Sequence, residues 1–207
     1  MSETYRIAIV GSGPAGLSAA ARAAQLGLSH VLPEKTDHLS DTIYKYQKGK
    51  HVMATPAQLV LRSDMSFEAG KREAILGIWD EQAASNKVNV RYKSDVKAIE
   101  GTGEAIKGSI MRVATRNRDG STGTQEIQRH KPPYKITMTD GSTIMAENVV
   151  LASGTQGNPN LMRCPGGDLP HVQYQLDDPK EYIDEHIVII GAGDAGRDGG
   201  EADAGEH

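Results

Sequence analysis

Gly11-Ser12-Gly13-Pro14-Ala15-Gly16 spaces three glycines as G-x-G-x-x-G, and Glu34 stands 18 residues beyond the last of them. Each position has a chemical reason if a strand precedes and a helix follows. Gly11 permits the tight turn, Gly13 lets the backbone reach a pyrophosphate, and Gly16 lets the helix pack closely on the strand. The helix N-terminus offers partial positive charge to phosphate oxygens. A carboxylate at the end of the next strand accepts both hydroxyls of an adenosine ribose and repels a 2′-phosphate. Glu34 therefore disfavours NADP at this first site. A glycine-rich turn without a ligand is the bland alternative, and the strand, helix and acid together argue against it.

The same pattern returns at Gly191-Ala192-Gly193-Asp194-Ala195-Gly196, after the apolar run 187–190. This second match reads as a weak dinucleotide-binding turn. Residues 197–207 hold three Gly and four acids and no apolar residue other than Ala, so they cannot supply the buried face of a helix. A strand that ends there without binding anything reads equally well.

The elements that must position the first motif are legible around it. Tyr5 to Val10 is a short β-branched run stopped by Gly11 and reads as a buried parallel strand. Ala15 to Leu28 is Ala-rich and reads as a helix ended by Gly27. His30 to Leu32 reads as the second strand of a βαβ unit, with Pro33 expected to shorten or bend it. Further on, 66–87 reads as a long helix, with Thr55-Pro56 as an N-cap and first helical residue of an earlier segment. Residues 88–92 and 96–99 read as short strands, and 101–130 as an extended hairpin or an insertion. Asp140-Gly141 is a turn signal between the alternating runs 134–138 and 143–146. Asn148 to Ala152 reads as a buried strand closed by Ser153-Gly154. The stretch 158–185 carries Pro159, Pro165, Pro170 and Pro179 and reads as a linker. Residues 186–190 read as a new buried strand. The fold expected is α/β, a Rossmann-type doubly wound parallel sheet with an antiparallel hairpin layer and the start of a second Rossmann unit. Residues 1–157 form the first domain, 158–185 the linker and 186–207 a truncated second domain.

Composition narrows the function classes. A formal net charge of −4 argues against a nucleic-acid binder held by phosphate neutralisation. Cys164 is the one cysteine, so an intrachain disulfide and a Cys-based metal site are excluded. Its neighbours Arg163 and Pro165 leave it an ordinary linker residue or a redox thiol, the former favoured for want of a partner thiol. The apolar run 7–10 is too short for a signal peptide or a membrane span, and a cytoplasmic, reducing setting fits best. The seven His show no ligand spacing, so no metal site is expected. Tyr44 to His51, aromatic and basic, reads as a surface loop or as a loop over a cofactor, and least well as a nucleic-acid patch.

These motifs resemble the two-dinucleotide flavoproteins of the pyridine-nucleotide-disulfide oxidoreductase superfamily, nearest to thioredoxin-reductase-like members. The resemblance covers nearly the whole chain up to Gly196. It implies that Gly11, Ser12, Gly13, Pro14, Ala15, Gly16, Glu34 and Lys35 hold the ADP half of FAD. It implies that Ala152-Ser153-Gly154, matching the family's Ala-Thr-Gly, passes close to the FAD, and that Val96 lies in the segment against the adenine. Gly191, Gly193, Asp194, Ala195 and Gly196 match the start of the NAD(P)H domain, with NAD(P)H as electron donor. The redox-active Cys pair of the disulfide reductases is missing: Ser40 to Lys50 contains no Cys. The expected function is an FAD-dependent NAD(P)H oxidoreductase, C-terminally truncated. A flavin-dependent monooxygenase and a non-catalytic FAD-binding fragment are the rivals. No residue is named as a catalytic acid or base. The partners expected are small-molecule nucleotides, with no nucleic acid and no membrane; a homodimer of a full-length form is one assembly the resemblance allows.

Overall fold

The computed structural model describes residues 4–54, 61–116, 121–155, 161–174, 178–183 and 185–191. Strands β1 (Thr4–Tyr5) and β2 (Ile7–Val10) are separated by Arg6 and belong to different sheets. Helix α1 (Pro14–Gln25) follows β2 and leads to β3 (His30–Pro33). Small residues decide how close α1 comes to the sheet: Gly16, Leu17, Ala20, Ala21 and Ala23 are its buried face. The helix ends where the sequence says it should. Gly27 takes φ +67°, its N–H bonds to the Ala24 carbonyl, and Leu28 N–H bonds to that of Ala23, a Schellman closure that satisfies the last carbonyls.

The short helix α2 (Asp41–Tyr44) and the strand pair β4 (His51–Val52) and β5 (Gly70–Lys71) precede α3 (Arg72–Ser85). The sequence expectation started α3 at Ser66, six residues early. Gly70 and Lys71 pair with Val52 and His51 instead. Residue 66 runs back along the helix, its carbonyl bonded by Trp79 Nε1 at 2.9 Å and its N–H bonded to Gln82 Oε1 at 2.8 Å. The expected Thr55-Pro56 start lies outside the described residues.

Strand β6 (Val90–Arg91) completes one half of the fold, and β7 (Val96–Gly101) begins the other. A long ribbon of β8 (Ala105–Arg116) and β9 (Thr122–His130) fills the span read as an extended hairpin, and β10 (Tyr134–Met138) and β11 (Thr143–Ala146) form the hairpin around Asp140-Gly141. Strand β12 (Val149–Leu151) returns the chain to the first sheet.

That first sheet has the order β12-β2-β3-β6 and is parallel throughout. The second, β1-β11-β10-β7, is antiparallel apart from the β1–β11 pair. Period-two alternation sorts β2 and β3 between the layers. Ile9 and Leu32 face Ala20 of α1, while Ala8 and Val31 face Ile136, Met138, Ile144 and Ala146 of the second sheet. On the outer side of α1, Leu17 and Ala21 pack with Ile75, Trp79 and Ala83 of α3. The result is helices, parallel sheet and antiparallel sheet in three layers, as the α/β expectation required.

Three local expectations change. Pro33 does not shorten β3; it is the strand's last residue and fully buried there. Parallel strands point alternate residues to alternate neighbours. Leu32 and Glu34 N–H bond to β6 and its approach, at the carbonyls of Asn89 and Arg91, so the donor Pro33 lacks would face β2. There β2 has already given way to the Gly11 turn, and only the Pro33 carbonyl is used, by Gly11 N–H at 3.1 Å. Strand β12 is a sheet edge and not buried, with Leu151 69% exposed. Residues 186–190 form no strand; among the described residues nothing flanks them to complete a ladder, and Val188 is 84% exposed. No helix among the described residues is long and apolar enough to cross a membrane.

Candidate dinucleotide site

The turn between β2 and α1 is built by close approach. Gly11 takes φ +97°, and a Cβ there would stand 2.7 Å from the Ala152 carbonyl oxygen. A Cβ on Gly16 would stand 1.9 Å from the Gly11 carbonyl oxygen and 3.4 Å from Ala152 Cβ. These two glycines press α1, the turn and the 152–154 segment together. Gly13 differs from both. It is the N-cap of α1 with an extended backbone, no side chain caps the helix, and no atom lies within 4 Å of the place its Cβ would take. Pro14 fills the first helical position, where its missing N–H costs nothing. The N-terminus of α1 thus opens on free space with uncapped backbone donors, a cradle that fits a pyrophosphate. Gly154, at φ +66°, likewise has nothing within 4 Å of its Cβ position.

Glu34 is 5% exposed, and burial of a carboxylate requires donors. It has four. Oε2 accepts from Ser12 N–H at 3.0 Å and from the Ser12 hydroxyl at 2.5 Å. Oε1 accepts from Thr36 N–H and the Thr36 hydroxyl, both at 3.1 Å. The carboxylate is thereby tied to the second residue of the glycine motif. Ser40, left-handed at φ 55°, closes the arrangement from the other side: its N–H donates to Ser12 Oγ at 3.0 Å and its hydroxyl to the Ser12 carbonyl at 2.9 Å. The loop after Arg91 joins in, with Ser94 N–H on the Glu34 carbonyl at 2.7 Å and Lys93 N–H on that of Thr36 at 2.9 Å.

Around this clasp lies a charged rim. His38 stacks on Tyr44 with ring centres 3.7 Å apart. Its two ring nitrogens reach Asp37 at 3.0 Å and Asp41 at 3.2 Å. Burial pushes the Asp41 carboxyl up, but the Lys45 ammonium at 2.9 Å, His38 and Lys35 outweigh it and hold it below its usual range. Asp80, on the exposed side of α3, goes the other way because burial raises it. The Tyr92 phenol is raised by burial first and by Asp80 and Glu34 second.

The structure brings the motif residues Gly11, Ser12, Gly13, Pro14, Ala15 and Gly16 to one place with Glu34, Ala152, Ser153 and Gly154. Lys35 turns its ammonium to Asp41, 3.7 Å away. Val96 opens β7 and packs half-buried on the Ala8–Val31 cluster; the neighbouring Lys93–Ser94 segment is what meets the Glu34 loop. Gly191 lies exposed with nothing near its Cβ position, and Gly193, Asp194, Ala195 and Gly196 lie outside the described residues. Thr36, Ser40 and Ser94 were not expected. Thr36, two residues after the acid, has a hydroxyl at the spacing of a local side-chain turn, so it could have been found. Ser40 carries no sequence signal, since its role depends on a left-handed backbone. Cys164 is exposed.

Residues 8–200 match the Pyridine nucleotide-disulphide oxidoreductase family. The chain belongs to this family. Among curated proteins it is 26% identical over 183 residues to the bacilliredoxin reductase Bdr of Bacillus subtilis, covering 88% of this chain and 48% of that protein. It is 24% identical over 190 residues to a ferredoxin–NADP reductase of Ignicoccus hospitalis, covering 92% of this chain and 50% of that one. The chain thus spans about half the length of these relatives. The bacillithiol disulfide reductase Bdr (YpdA) of Staphylococcus aureus shares the fold, with a TM-score of 0.71 at 19% identity over 98% of this chain and 54% of that one. The thioredoxin reductase of Lactococcus lactis does so at a TM-score of 0.52 and 18% identity, over 79% of this chain and 39% of that one.

Proposed function

We propose that this chain binds FAD at the turn that carries Gly13, together with Glu34 and Gly154, and that it serves, in the whole protein, a thioredoxin-reductase-like oxidoreductase that takes hydride from NAD(P)H. The buried Glu34 carboxylate clasped to Ser12, beside the open cradle at Gly13, carries this reading. The α1 N-terminus and the Gly13 backbone would hold the pyrophosphate, Glu34 the adenosine ribose, and Ala152-Ser153-Gly154 would border the flavin half. Bound FAD supplies the chemistry of accepting a hydride and passing electrons on. The protein's own contribution here is binding and orientation: α1 fixes phosphate direction, and Glu34 fixes the ribose and repels a 2′-phosphate.

The domain division expected from the sequence belongs to the same proposal, with 1–157 as the FAD-binding part, 158–185 as linker and 186–207 as the start of an NAD(P)H-binding part around Gly191 to Gly196. The electron acceptor is not a dithiol pair within this chain, because Cys164 has no second thiol to resolve a mixed disulfide. A disulfide acceptor carried by another molecule, as in the bacilliredoxin reductase named above, agrees with the family. The deciding experiment is a titration of the purified chain with FAD, followed by denaturation and identification of the released nucleotide. Saturable binding with FAD recovered supports the reading; recovery of NADP, or no binding of any adenine dinucleotide, overturns it.

A further inference from the structure

Glu34 offers about four lone-pair positions to donors, and the protein already fills them with Ser12 N–H, Ser12 Oγ, Thr36 N–H and Thr36 Oγ1. A ribose diol can therefore reach the carboxylate only where one of these donors gives way. The two backbone N–H groups are fixed by the turn that carries them. Ser12 Oγ already accepts from Ser40 N–H, which directs its single proton to Glu34. Thr36 Oγ1 stands apart from the other three. Its one proton has two acceptors in reach, Glu34 Oε1 at 3.1 Å and the His38 carbonyl at 2.8 Å.

We infer that Thr36 is the yielding donor of this site: its hydroxyl occupies Glu34 Oε1 before ligand binds, and swings fully to the His38 carbonyl when the vicinal diol of an adenosine ribose arrives. Thr36 then determines affinity for the diol by competing with it. This rests on the reading that the site takes FAD. The exchange conserves hydrogen bonds: Glu34 Oε1 trades a threonine hydroxyl for a ribose hydroxyl, and the threonine proton keeps an acceptor. A 2′-phosphate brings no proton to this exchange at neutral pH, so the same device rejects it.

Removing the competitor should tighten binding. Thr36→Val keeps shape and β-branching and deletes only the hydroxyl, while Thr36→Ser keeps the hydroxyl. The probes are FAD, ADP and 2′,3′-dideoxy-ADP, titrated against wild type and both variants, with thermal melting to verify folding. Thr36→Val is expected to bind FAD and ADP about three- to tenfold more tightly, the difference in worth between a charge-assisted and a neutral hydrogen bond. Its affinity for dideoxy-ADP should be unchanged, and Thr36→Ser should match wild type with all three. Unchanged or weaker FAD binding by a folded Thr36→Val protein overturns the inference, as does equal tightening for dideoxy-ADP. Failure of wild type to bind FAD or ADP removes the functional reading and this inference with it; failure confined to the valine variant removes the inference alone.

Discussion

Residues 7–11 and 187–191 are nearly the same peptide, an apolar β-branched run ended by a glycine with positive φ, yet the fold treats them oppositely. In the first, Ala8 and Ile9 are completely buried and the backbone is paired on both sides, with β12 and with β3. In the second, Val188 and Ile190 are 84% and 72% exposed and no ladder forms. Gly11 is pressed against Ala152, whereas Gly191 has nothing within 4 Å of its Cβ position. A strand of a parallel sheet is a property of its neighbours as much as of its own residues, because its backbone groups need partners on both edges.

The comparison breaks first at Gly16. Its substitution by Ala drives a Cβ into the Gly11 carbonyl oxygen, so α1 must leave the sheet. A loss of about 3 kcal/mol or more is expected, seen as a collapse of the melting transition, whereas Gly191→Ala meets no atom and carries only the strain of its positive φ, about 1–2 kcal/mol. Next, Ile9→Ala should cost about 2–5 kcal/mol, as for other fully buried aliphatics. Ile190→Ala should stay within about 0.5 kcal/mol in the same denaturant titration. Equal losses at the two isoleucines would show that 186–190 is a working strand after all. Gly13→Val separates site from fold: the space there is open and the backbone extended, so melting should hold while FAD affinity falls about a hundredfold, near 2.7 kcal/mol.

The smallest effect expected is at the rim. Because Asp41 is held below its ordinary value of 3.8, its share of stability is present above that value and fades as pH falls through the lowered one. Asp41→Asn should flatten the acid limb of a stability–pH curve below about pH 4 by no more than about 1 kcal/mol. A curve unaltered by the substitution would show that Lys45 and His38 contribute nothing there.

The first glycine motif, its strand, its helix and Glu34 were legible because each rests on local chemistry: β-branched run, tight turn, alanine face, acid at the strand end. The Asp140-Gly141 hairpin was legible for the same reason. What escaped was settled by tertiary pairing. The start of α3 depends on Gly70 finding Val52. Pro33 is tolerated because β2 has turned away beside it, and Ser40 matters only because a left-handed residue brings it onto Ser12. The expected strand at 186–190 failed on the same ground, since its pattern is right and its neighbours are missing.

The pairing of β2 with β12 also has a consequence for how the chain is made. Ala8 pairs with Val149, and Ala8 N–H bonds to the Asn148 carbonyl at 2.9 Å. A ribosome adding ~5–20 residues per second needs on the order of ten seconds to supply that partner after β2 has emerged. Through that interval the nascent β2–α1–β3 unit carries an unpaired edge, and the 152–154 wall of the site does not yet exist. The glycine turn and Glu34 can meet early, but the proposed dinucleotide site is finished only when synthesis passes Gly154.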